Sequence, residues 1–353
     1  MDTTATSALN STRPDASRTN STRHLGLALL AATLISAMSC SSDTTTNAAT
    51  TTTSTTSTTT TTVAAPTSTS DVPTATTAAT STSTTSPVPT TTGATAVPRP
   101  TATIDQLVGA AGSRVHVRCV GQGDTTVLLI AGFGGDTSGW VKVEPAIATQ
   151  ARVCSYDRLG TGTSDAATSA ATFNTQAADL HALLSTIGEP GPYVVVGHSF
   201  GGAEAVTFAS HFSDEVTGLA LIDAPPTTWP AALCAVADDG TDGAAFLRQT
   251  CSVAFLPTGN SEHLDVEAAF AEVSDIVSLG SLPMAVVTAT IRTLPADLAA
   301  TEVVRLTGVW NQGQQDWIEL STAARLISVD HTGHHIEIDQ PDVVIDEIAR
   351  LLA

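Results

Sequence analysis

Basic residues are scarce in this chain. Against 34 Asp and Glu, the 353 residues hold 14 Lys and Arg, with Lys142 the only lysine, and the formal net charge is −20. Residues 1–39 carry Arg13, Arg18, Arg23, Asp2 and Asp15, a net +1, so the remainder stands at −21. Such a surface argues against nucleic acid as a partner and against docking by charge on anionic lipid. The N-terminal apolar run, Leu25 to Met38, falls short of the roughly 20 residues that a membrane-spanning helix needs. Cysteine is sparse, with five in all. No Cys-x-x-Cys or His-x-His cluster has metal-ligand spacing, so neither a metal nor another cofactor is expected. Large apolar residues are missing from 41–102, which excludes a packed core there.

What is present falls into three parts. Residues 1–40 join arginines, a short apolar core and Ala37-Met38-Ser39-Cys40. That is how a secretory signal ends in a bacterial lipoprotein. The expectation is export, with lipid on Cys40 as the only membrane contact; the alternative is cleavage near Ser39, with Cys40 incidental and the protein secreted. Residues 41–102, almost all Thr, Ser, Ala and Pro, read as a disordered linker. Residues 103–353 are long enough for one large α/β core. Setting Cys40 aside leaves Cys119, Cys154, Cys234 and Cys251, an even set. In an exported protein this suggests two disulfides, and Cys119–Cys154 and Cys234–Cys251 are the expected pairs.

Strand and helix patterns alternate through the third part. Strands are expected at Val115–Val120, Thr126–Ala131, Val153–Tyr156, Tyr193–Val196, Gly218–Ile222, Met284–Thr288 and Leu326–Val329. Helices are expected at Trp140–Gln150, Phe173–Ile187, Ala203–His211 and Pro341–Leu352. The alternation predicts a mostly parallel central sheet with helices on both faces. Residues 226–280 break the rhythm and end in a helical run, Ser261–Val277. They read as a small cap inserted over the sheet's carboxyl edge, where such sheets bind ligands.

One stretch carries chemistry. Val194-Val195-Val196 runs into Gly197-His198-Ser199-Phe200-Gly201-Gly202, so a strand, a sharp turn and a helix set a serine at the apex. A side chain at either flanking glycine would collide with neighbouring backbone. A serine hydroxyl is a weak nucleophile, so it needs a base, and the base needs an orienting acid. His334 follows the last strand pattern and precedes the closing helix; it is the expected base, with His331 and His335 as rivals. Asp223, at the carboxyl end of Gly218–Ile222, is the first candidate for the acid and Asp297 the second. Oxyanion donors are expected from the backbone N–H groups of Phe200 and of Phe133, the latter in the Gly132-Phe133-Gly134-Gly135 loop.

These residues, with Trp140, the segment Tyr156-Asp157-Arg158-Leu159-Gly160-Thr161-Gly162-Thr163-Ser164, and Gly333-His334, resemble the α/β-hydrolase superfamily over nearly all of 103–353. The resemblance implies the α/β-hydrolase fold and makes the Asp157–Ser164 turn structural. Two departures stand out. Relatives usually carry His-Gly at the oxyanion loop where this chain has Ala131-Gly132, and no acid follows Met284–Thr288 at the usual place. A serine in place of an aspartate argues against epoxides and alkyl halides as substrates. The resemblance implies hydrolysis of a small-molecule carboxylic ester through an acyl-enzyme. Other activities in this superfamily are peptidases of the proline iminopeptidase kind, for which the acidic Asp238, Asp239, Asp242, Glu262 and Asp265 would hold an amine, and cofactor-free haloperoxidases. An inactive fold serving as a surface binding module is the reading outside enzymes.

Overall fold

The computed structural model describes residues 101–110 and 112–353. The expected signal, Cys40 and the Thr/Ser-rich stretch to residue 100 lie outside the described residues. Eight strands form one sheet: β1 (Ile104–Ala110), β2 (Ser113–Val120), β3 (Thr126–Ile130), β4 (Arg152–Tyr156), β5 (Tyr193–His198), β6 (Val216–Ile222), β7 (Met284–Ala289) and β8 (Ala324–Val329). Their order is β1-β2-β4-β3-β5-β6-β7-β8. The first two pairings, β1 with β2 and β2 with β4, are antiparallel, and every later one is parallel.

The central strands are buried along their whole length because helices cover both faces, and their residues sort by the period of two. Leu128, Ile130 and Val195 face a core built with Phe173, Leu180 and Leu184 of the helix Phe173–Ile187. Val127, Leu129, Val194 and Val196 face the opposite core, with Trp140, Ile147, Val344 and Ile348. The helix Phe173–Ile187 has the expected bounds, with a Thr172 cap at its start and Gly188 in the left-handed region at its end.

Two expectations are corrected, and two elements were not expected. The helix expected at Trp140–Gln150 is instead a 3₁₀ turn, Thr137–Trp140, and a four-residue helix, Glu144–Ile147. Pro145 supplies no N–H and disfavours helical backbone in the residue before it, so one continuous helix cannot run through. The run Ser261–Val277 is helical only over Val266–Ser274, where the Asp265 side chain accepts from Ala268 N and starts the helix. The longest helix, Ala300–Glu319, was not expected. Its buried face, Leu306, Trp310, Gly313, Gln314 and Trp317, has helical spacing, and β1 at the sheet edge was likewise missed.

Candidate active site

The elbow follows from its backbone. Ser199 sits at φ 52° and ψ −128° between β5 and the helix Phe200–His211. Its N–H donates to Ile222 O at 2.9 Å, which ties the turn to the end of β6. A Cβ at Gly197 would lie 2.0 Å from Gly201 O, and one at Gly201 would lie 2.4 Å from Ala131 O. Both contacts are with backbone that cannot step aside, so glycine is required at each position. A strained φ at a non-glycine residue is characteristic of a functional turn.

Ser199, His334 and Asp223 are 135 and 111 residues apart in pairs, yet they form one line. The Ser199 Oγ stands 2.9 Å from His334 Nε2, and His334 Nδ1 stands 2.8 Å from Asp223 Oδ2. A carboxylate only accepts, so Nδ1 carries the proton and Nε2 is left to accept from the serine hydroxyl. Asp223 also has positive φ, at 44°, and is wholly buried. Its Oδ1 accepts from Thr288 Oγ1 at 3.1 Å, Ala289 N at 2.9 Å and Arg292 Nη2 at 2.9 Å, and its Oδ2 accepts from Arg292 Nη1 at 3.0 Å as well as from His334. Burial alone would push this carboxyl up. The bond and charge of His334 and then those of Arg292 overrule it and bring it down to about 2.

The rivals stand outside this line. Asp297 Oδ2 accepts from Gly243 N at 3.1 Å, at the start of the helix Asp242–Gln249. His331 is exposed on its turn. His335 Nδ1 lies 3.0 Å from Glu337 Oε1, and that carboxylate raises the His335 imidazole above its ordinary value. His198, beside the serine, donates through Nε2 to the backbone carbonyl of His334 at 3.0 Å. Burial pushes His198 down to about 4, so a neutral ring holds the His334 loop over the elbow.

The expected oxyanion loop borders the same space. Phe200 N–H is the first of its helix and has no carbonyl four residues back within it. Phe133 stacks on Phe200, with ring centroids 5.2 Å apart. Beneath the loop the Arg158 guanidinium donates to Ala131 O at 2.8 Å and Gly132 O at 2.5 Å. Glu262 accepts from Gly134 N at 2.5 Å and from Arg158 Nε at 2.7 Å. The result is a cavity of about 640 Å³ over Ser199, with Phe133, Phe200, Trp229, Leu233, Phe255 and Trp310 among its walls. None of Asp238, Asp239, Asp242, Glu262 and Asp265 lines it.

Both expected disulfides are formed. Cys119 and Cys154 are register partners across β2 and β4 with Cα atoms 4.1 Å apart, and Cys234 joins Cys251 across 5.4 Å. Two clusters among the described residues could bring three ligand atoms to a metal ion. One is His198, His335 and Glu337, whose ligand atoms lie within 4.8 Å of one another; the other includes both sulfurs of the Cys119–Cys154 disulfide.

Sequence reasoning missed Arg292, Thr288 and His198, gave Arg158 no part in the site, and gave Glu262 a part only as one of the acidic cap residues that would hold an amine. Nothing in the sequence signals that Arg292 reaches back 69 residues to Asp223. The scarcity of cations in the chain was the available hint for Arg158.

The profile of the alpha/beta hydrolase fold family matches residues 125–237, from β3 through the elbow and β6. Over 236 residues the chain is 24% identical to the uncharacterized protein YqjL of Bacillus subtilis (strain 168), a match covering 64% of this chain and 82% of that protein. It is 33% identical over 102 residues to the dihydrolipoyllysine-residue acetyltransferase component of the acetoin cleaving system of Pseudomonas putida, which is 29% of this chain but 27% of that protein. Among solved structures, the epoxide hydrolase CorEH without ligand superposes with a TM-score of 0.52 at 19% identity, covering 71% of this chain and 99% of that one. Cfl2 of Burkholderia cenocepacia superposes with the same score at 22% identity, covering 70% and 95%. The chain has the α/β-hydrolase fold.

Proposed function

We propose that this protein is a serine hydrolase that cleaves a carboxylic ester of a small molecule through an acyl-enzyme on Ser199. The fold and the family match support a hydrolase of the α/β-hydrolase kind. The observation that carries the finer reading is the unbroken line from Ser199 Oγ through His334 to Asp223, at 2.9 and 2.8 Å.

In this reading His334 Nε2 takes the proton of Ser199 as Oγ attacks the ester carbonyl. The N–H groups of Phe133 and Phe200 receive the oxyanion. The tetrahedral intermediate collapses as His334 returns the proton to the departing alkoxide, which leaves as the alcohol and leaves Ser199 acylated. Water then attacks the acyl carbon while His334 takes its proton, and the free acid leaves as the proton returns to Ser199. Asp223 holds the ring and balances its charge in both halves.

Several observations bear on the substrate. A serine at the elbow would give an ether with an epoxide, which this machinery has no means to hydrolyse, although an epoxide hydrolase shares the fold. The apolar walls suit an ester with a bulky apolar part. No acidic cap residue faces the cavity to hold an amine, so the geometry does not favour an aminopeptidase. Export, with lipid on Cys40, belongs to the same proposal, and two disulfides suit an oxidising compartment.

The test is labelling by a fluorophosphonate probe together with hydrolysis of p-nitrophenyl esters. The wild-type protein is expected to take the probe at Ser199 and turn over the esters, and Ser199→Ala to do neither. Full hydrolysis by Ser199→Ala would overturn the reading.

A further inference from the structure

Behind the oxyanion loop lies a buried cluster of charge that the reaction above does not use. Arg158 is 5% exposed, and its partners Glu204 and Glu262 are buried. Glu204 Oε2 lies 3.3 Å from Arg158 Nη1, and its other oxygen accepts from the Tyr156 hydroxyl. Glu262 takes both Nε at 2.7 Å and Nη2 at 3.2 Å.

The guanidinium also binds two backbone carbonyls, and one of them matters. Gly132 O, 2.5 Å from Nη2, belongs to the peptide unit whose N–H is that of Phe133. In a trans peptide the carbonyl and the N–H point in opposite directions. With Gly132 O turned to Arg158, the Phe133 N–H points away from it. The next peptide is pinned the other way round, since Gly134 N–H donates to Glu262 at 2.5 Å. One ion pair thus holds two successive peptides, together with Gly135 N–H, which also donates to Gly132 O at 3.0 Å. The loop abuts the serine: a Cβ on Gly132 would lie 3.1 Å from Ser199 Cβ. A cation hydrogen-bonded to a peptide oxygen draws electron density toward it and makes the N–H at the other end a stronger donor, the more so in a dry, low-dielectric site.

We propose that Arg158 is a positioning residue that strengthens the Phe133 N–H as an oxyanion donor by polarising the Gly132–Phe133 peptide from behind, with Glu204 and Glu262 setting how much of its charge reaches that peptide. The proposal rests on the reading of Ser199 as the nucleophile and of Phe133 N–H as an oxyanion donor. It separates Arg158 from a residue that merely holds a turn, because it makes the neighbouring carboxylates act on the reaction through charge.

The experiment reads the carbonyl stretching frequency of the acyl-enzyme, by infrared difference spectroscopy with a carbon-13-labelled ester, alongside kcat for matched oxygen and thiono esters. Thiono esters place sulfur in the oxyanion position and gain less from its donors. Glu204→Gln keeps the shape, with its amide oxygen accepting from Arg158 and its NH2 group turned to donate to the Tyr156 hydroxyl oxygen, but removes a negative charge from beside Arg158. It is measured at about pH 9, where Glu204, pushed up by burial to about 7, is ionised in the wild-type protein. The frequency is expected to fall further than in wild type, and the oxygen-ester rate to rise about two- to fivefold over the thiono rate. Arg158→Lys is expected to raise the frequency and slow the oxygen ester about 30-fold, with the thiono ester slowed less than about threefold. If Arg158→Lys does not fold, Glu204→Gln alone decides. An acyl-enzyme whose frequency is unmoved in Glu204→Gln would overturn this proposal alone. Absence of any acyl-enzyme in the wild-type protein would overturn it together with the serine reading.

Discussion

Replacing Asp223 by asparagine is expected to change the pH dependence of stability as well as the rate. Asp223 is wholly buried and held at about 2 by His334 and Arg292 against the pull of burial. An aspartate in the unfolded chain titrates near about 3.9. The difference is worth about 2–3 kcal/mol in favour of the folded protein. Because the folded value is the lower one, this contribution is complete above about pH 5 and fades as pH falls through the folded value near 2. The asparagine side chain cannot ionise, so in the variant the contribution is missing at every pH. The substitution also leaves Arg292, bonded to both carboxylate oxygens at 2.9 and 3.0 Å, beside a neutral group. Removing one partner of a buried pair costs about 3–5 kcal/mol at neutral pH. Asp223→Asn should therefore be much less stable than wild type near neutrality, with the gap narrowing by about 1 kcal/mol by about pH 3 and by the rest only as pH falls through about 2. Urea unfolding followed by circular dichroism at about pH 7, 5, 4 and 3 measures this directly. A gap that stays constant over that range would refute the assignment of Asp223 as the buried anion. In the same protein kcat for ester hydrolysis should fall about 10⁴-fold, since the histidine loses the group that fixes its tautomer.

Two more outcomes test the frame around the site. Gly201→Ala would place a Cβ 2.4 and 2.5 Å from the carbonyl oxygens of Ala131 and Ile130, and should lower stability by about 3 kcal/mol while displacing Ser199 from the probe's reach. Both effects are read by thermal unfolding and fluorophosphonate labelling, and a fully stable, fully labelled variant would contradict the account of the elbow. Reducing the disulfides releases loops spanning 35 and 17 residues, each closure worth about 3–4 kcal/mol in the chain-entropy account. Thermal unfolding with and without a reducing agent should show a drop in Tm, and Cys119→Ala/Cys154→Ala should reproduce the larger part of it.

Local signals in this sequence were strong where chemistry and backbone constrain the same residues. The Gly197–Gly202 elbow was legible because a strand, a strained turn and a helix must follow one another there. The helix Phe173–Ile187 was legible because its stop, Gly188, and its apolar spacing agree. The helix Ala300–Glu319 went unseen although Leu306, Trp310 and Trp317 recur at helical intervals, since polar residues fill the intervening turns. Trp140–Gln150 misled because its apolar spacing suggested one continuous helix, whereas Pro145 fits only in the first turn of a short one.

The sequence by itself determined most of the alternation of strands and helices, without β1 or the helix Ala300–Glu319, and the serine at its turn, because each depends on neighbours along the chain. Which carboxylate meets His334 was left open between Asp223 and Asp297. Tertiary structure decided it, by bringing the end of β6 under the loop after β8 and sending Asp297 to a helix start. The partners of the site came the same way: Arg292 on Asp223, His198 on the His334 carbonyl, and Arg158 with Glu262 under the Gly132–Gly135 loop. These are contacts between residues 26 to 136 apart, and what selects them is the need of buried charges and buried carbonyls for partners once the sheet and its helices have closed.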